Sequence, residues 1–175
     1  MANSQHKHVF IQRLMHERDK FELLLNRVGY GRRMTMKGVA GAWSIKDMIA
    51  SIWMYEQYMA DRLGEILQDE IYIPCKSQPA LDAFLQENGY PDFDSPLLDK
   101  DKPNGWLIEK YKNIALDEII AQEISAFSAI IEALEAMDEG QFYRHNLFER
   151  VSNNTYRHYR EHIAHIKHWL KVNAA

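Results

Sequence analysis

Three histidines near the C-terminal end of the chain, His158, His162 and His165, recur at steps of four and three. At about 100° per residue of α-helix they fall within a stripe roughly 60° wide. Two neutral imidazoles one turn apart are a recurrent half of a divalent-metal site, because both reach one ion without bending the backbone. The same pair, kept neutral by partial burial, can instead take a proton from water or from a thiol. The stripe borders the apolar side of its helix, where a pocket can form. His168 lies on the polar side, His6 and His8 at the frayed start of the chain, His16 on the first helix and His145 in a connection. Spacing alone brings none of these five to the pair.

The apolar periodicity supplies the elements that position the histidines. Residues 4–28 carry Phe10, Leu14, Phe21, Leu24, Leu25 and Val28 at helical steps, closed by Gly29 and Gly31. A second helix over 44–68 opens on Ser44 and Asp47, which form a capping-box-like pair, and continues through Ile45, Met48, Ile49, Ile52, Met59, Leu63 and Ile66. Residues 69–104 hold all five prolines and read as a crossover, with one short helix over 77–88 started by Ser77 and stopped by Gly89. A crossover of this length serves either as the wall or lid of a pocket or as a plain connection. Helical turns are expected over 106–112. A third long helix covers 116–137, with Ile119, Ile120, Ile124, Phe127, Ile130, Ile131 and Leu134 inward. After a connection over 141–152, the fourth starts at Asn153 or Asn154 and runs to 172. No strand-like alternation of useful length appears. Four long helices with one crossover between the second and third predict an all-α, single-domain four-helix bundle over residues 1–175.

Bulk properties narrow the function classes. The 175 residues are 46% hydrophobic and 26% charged, with a net charge of −4. That balance provides no basic field for a phosphate backbone, so nucleic acid is not an expected partner. No apolar run approaches the roughly 18–20 residues of a membrane span. The opening Met-Ala-Asn-Ser-Gln-His-Lys-His is followed by no signal-type apolar region. The single cysteine, Cys75, has no disulfide partner within the chain, and a cytoplasmic location is expected.

Two separated motifs carry a family resemblance. Gly41-Ala-Trp-Ser-Ile-Lys-Asp-Met-Ile-Ala50 resembles the entry to the second helix of the DinB-like (YfiT-like) superfamily. Asn154-Thr-Tyr-Arg-His-Tyr-Arg-Glu-His162, with Ile166-Lys-His-Trp-Leu170, is similar to the C-terminal signature of its ClbS/DfsB-type branch. Leu116-Asp-Glu-Ile-Ile120 also matches that family's third helix. The resemblance implies an up-down-down-up bundle, often a homodimer, whose metal pocket takes one histidine from the second helix and two from the fourth. His158 and His162 match the latter pair. The second-helix histidine should follow Ala50, and this chain has Ser51 there.

A serine hydroxyl is a weak ligand for Zn, Ni or Fe beside an imidazole. The pocket therefore keeps a divalent metal with a substitute ligand, works without one, or is catalytically inactive. Tyr55 lies one turn beyond Ser51 and Glu56 close in phase, so both belong to the expected pocket, with Glu56 the nearest carboxylate substitute. The branch implies hydrolysis or thiol transfer on a small electrophile, in detoxification or self-protection. The alternative is a non-catalytic protein that binds or sequesters a small molecule.

Overall fold

The computed structural model of the chain describes residues 2–29, 32–98 and 109–173. Regular structure among them is helical, with no strand. Four long helices, α1 (Ala2–Val28), α3 (Ile45–Leu67), α5 (Leu116–Ala136) and α8 (Tyr156–Asn173), bury most of the apolar side chains. Four short ones join them: α2 (Arg32–Thr35), α4 (Gln78–Asn88), α6 (Glu139–Arg144) and α7 (Leu147–Asn153). The most extensive helix contact runs between α3 and α5, and α1 lies against α8. Further contacts join α3 to α8 and α1 to α5. No described helix is long and apolar enough to cross a membrane.

Local chemistry sets the start of α3. The Asp47 amide donates to Ser44 Oγ at 3.1 Å, and the Ser44 amide donates to Asp47 Oδ2 at 2.8 Å. Two amides that the helix leaves unpartnered are thereby satisfied, and Lys37 Nζ adds a 2.6 Å ion pair to the same carboxylate. From this fixed start, Ile45, Met48, Ile52, Met59 and Leu63 are fully buried on the inner face.

The proline-rich crossover is tied down by polar groups. Tyr58 Oη on α3 lies 2.8 Å from both Asp92 Oδ1 and Asp94 Oδ2, and Tyr72 Oη donates to Asp92. The Cys75 amide donates to the other Asp92 oxygen at 2.8 Å, and Ser95 Oγ to the Cys75 carbonyl at 2.7 Å. Burial opposes ionisation of Asp92, but these donors outweigh it and hold its carboxyl below the usual range. Tyr90, Pro91, Asp92 and Phe93 are buried, so this stretch is part of the interior rather than a surface strap.

Some boundaries differ from expectation. The connection before the last helix contains α6 and α7, started by a second capping box between Asp138 and Gln141 and divided by Asn146 at a φ of 53°. Asn154 ends α7, its amide side chain donating to the Arg150 carbonyl at 2.8 Å, and α8 begins only at Tyr156. Ile124, expected inward, is 48% exposed, because its place in the inner row of α5 goes to Glu123. Residues 109–111 form part of the helical turn expected over 106–112; residues 106–108, like Gly31, lie outside the described residues.

Candidate functional site

Ser51 sits in the second turn of α3, past a start fixed by the capping box, and His158 and His162 occupy successive turns of α8. The meeting of these helices brings the three together. His158 Nε2 lies 3.2 Å from His162 Nε2 and 3.4 Å from Ser51 Oγ. All three residues are buried, the two histidines at 8% exposure and Ser51 at 2%.

Aromatic rings wall the cluster. Tyr55, one turn beyond Ser51, stacks on His158 with ring centres 3.8 Å apart. Its opposite face stacks on Phe93 of the crossover at 3.7 Å. Trp43, just before the cap of α3, lies parallel to His162 at 6.1 Å. The Tyr55 hydroxyl is pushed up to about 12 by burial and by Glu161, so it stays a proton donor at neutral pH. Burial, reinforced by the neighbouring His165, lowers His162 to about 4 and keeps its ring neutral.

Among the other expected pocket residues, Glu56 goes elsewhere. It is completely buried between Tyr159, whose hydroxyl donates to Glu56 Oε2 at 2.7 Å, and Arg18, 3.6 Å away. Arg18 makes a two-pronged contact with Glu123 on α5 and a 3.0 Å pair with Glu22. Two buried carboxylates thus face one guanidinium, and Arg18 favours Glu123. Glu56 Oε1 has no hydrogen-bond partner. Burial lifts its carboxyl to about 8 against the pull of Arg18 and Tyr159, so at pH 7 it is largely protonated. His165, His168, His6, His8 and His16 are exposed, and His145 lies at the junction of α6 and α7.

The separation of the two Nε2 atoms suits a common ion: donors about 2.05 Å from a tetrahedral metal stand roughly 3.3 Å apart. The rest of the donor set does not fit a resident ion. The third position is a neutral alcohol, and Glu56 is committed to the Arg18 network. Two imidazoles alone hold an ion poorly.

Sequence reading missed Phe93 as a wall of the site and the Arg18–Glu123 pair. The latter left a trace. Arg18 falls between Leu14 and Phe21, and Glu123 between Ile119 and Phe127, each a charge in the apolar phase of its helix. Comparison of the chain with protein-family models, with curated proteins and with solved structures gives no match.

Proposed function

We propose that this chain is a DinB-like four-helix bundle whose Ser51–His158–His162 cluster acts on a small electrophile through neutral imidazole rather than a resident metal. The contacts of α3 with α5 and α8, and of α1 with the same two helices, support the bundle. The motifs at 41–50 and 154–170 support the family. The observation that carries the chemistry is the convergence of two imidazole nitrogens and one hydroxyl within 3.2–3.4 Å, behind aromatic walls.

The 3.2 Å separation of the imidazole nitrogens is a hydrogen bond, so one ring donates and the other accepts. The accepting lone pair is the basic position of the pair. A water or thiol displacing the partner N–H from that lone pair gives up its proton there as its oxygen or sulfur bonds to the electrophilic carbon. The bond from that carbon to the leaving heteroatom breaks with its electron pair, and the imidazolium returns the proton to it. Ser51 Oγ, beside His158, donates a hydrogen bond to the heteroatom that gains charge. Tyr55 and Phe93 exclude water from one side.

Turnover of styrene oxide, with and without glutathione, and of p-nitrophenyl acetate tests this reading. The expected result is turnover insensitive to EDTA and reduced about 100-fold or more in His158→Ala. Turnover abolished by EDTA and restored by zinc would overturn the metal-free reading. Saturable ligand protection without turnover would favour a sequestering protein.

A further inference from the structure

A cleft of about 820 Å³ lies between the crossover and the α6–α7 corner. This volume falls in the range of small-molecule sites. One wall is apolar, from Tyr72, Phe93 and Leu98, and Ile71 at its edge is 84% exposed. The facing wall carries Arg144 and Arg150.

The two arginines are committed differently. Arg150 is held on three sides: its Nε donates to Asp94 at 2.9 Å, its Nη1 to the His145 carbonyl at 3.3 Å, and its guanidinium lies 5.2 Å from the centre of the Tyr72 ring. Its buried Nη2 is left without a hydrogen-bond partner. Arg144 is exposed and forms no ion pair with a described residue. Each carboxylate lining the cleft has one oxygen engaged. Asp94 takes Arg150 and Tyr58, and Glu149 takes the Asn146 amide at 3.1 Å. Arg144 and Arg150 Nη2 nevertheless remain donors with no acceptor among the described residues, beside an apolar surface. His145, between the two arginines, reports the same field: burial and then Arg144 and Arg150 lower its pKa.

We propose that this cleft binds an amphipathic organic anion, its apolar body against Tyr72, Phe93 and Leu98 and its carboxylate or phosphate head at Arg144 and Arg150. A guanidinium held by its neighbours is well suited to such a head, because little further ordering is needed on binding. The cleft also touches the histidine cluster indirectly. Phe93 lines it and stacks on Tyr55, which stacks on His158. A ligand seated against Phe93 therefore perturbs the His158 ring without contacting it. The proposal does not depend on what the histidines do.

Calorimetric titration with octanoate, octyl phosphate and 1-octanol tests it, with imidazole signals followed by NMR. Octanoate or octyl phosphate should bind with 1:1 saturation at least tenfold more tightly than octanol, the better of the two identifying the head group. Arg144→Gln should weaken the anion by about tenfold and leave octanol unchanged. Leu98→Asp should weaken both. The His158 signals should move at saturation in the wild type, and His162→Ala should bind the anion as the wild type does. Absence of anion binding, equal affinity for octanol, or anion binding indifferent to Arg144→Gln would overturn the proposal.

Discussion

The Nε2 atoms of His158 and His162 approach to 3.2 Å while both residues are buried to within 8% of full exclusion from solvent. Adjacent protonated rings would repel at that distance, and burial removes the water that would screen them. Burial accordingly holds the His162 ring neutral, and the consequences are measurable.

Acid should weaken the fold through His162. Its pKa is lowered from 6.5 to about 4 in the folded protein, so between these values the unfolded chain binds more protons. Stability from this group is complete above about pH 7, falls as pH drops through the window, and is fully lost below about 4. The size is on the order of 3 kcal/mol. Glu56 acts in the opposite sense, because its folded pKa is raised from 4.5 to about 8 and it stabilises the fold most at low pH. Urea denaturation of the wild type and His162→Gln between pH 4 and 7 separates the two. The variant should lose the acid-dependent fall attributed to His162; parallel curves would contradict the assignment.

The two buried carboxylates beside Arg18 should respond unequally to amidation. Glu56 is already largely protonated at pH 7, so Glu56→Gln keeps its shape and charge and should change stability by less than about 1 kcal/mol. Glu123 neutralises Arg18, and Glu123→Gln leaves a buried cation short of its partner, a loss of about 3–5 kcal/mol. Denaturant midpoints of the two variants check the order.

Asp92 should be the anchor of the crossover. Asp92→Ala strands the Cys75 amide and takes one acceptor from the hydroxyls of Tyr58 and Tyr72, which keep Asp94 and each other, and a loss of about 2 kcal/mol is expected. Hydrogen exchange of the Cys75 amide should accelerate more than that of the α3 core. Uniform acceleration would mean that the crossover and the helices unfold as one unit.

What was legible in the sequence follows from how local the determining interactions are. The start of α3 depends on two side chains three residues apart, and both limits of α4 depend on Ser77 and Gly89, so these elements could be read directly. The His158–His162 pair is likewise a matter of one helix. Its meeting with Ser51 rests on two helices 107 residues apart, and sequence supplied it only through the family resemblance. Glu56 illustrates the limit. One position after Tyr55, it turns to Arg18 and Tyr159, and no property of α3 alone distinguishes that outcome from a place beside the histidines. The break between α7 and α8 was hidden for a related reason: Asn154 suits either the end of one helix or the start of the next.

The central claim is that Ser51 leaves the histidine pair without a resident metal, and zinc titration of tag-free protein tests it most directly. The wild type should bind zinc no tighter than micromolar. Ser51→His, which places a third imidazole opposite the pair, should bind at least roughly a hundredfold tighter. Wild-type protein that binds near-stoichiometric zinc and loses it in His158→Ala, or a Ser51→His variant with no gain, would contradict the account.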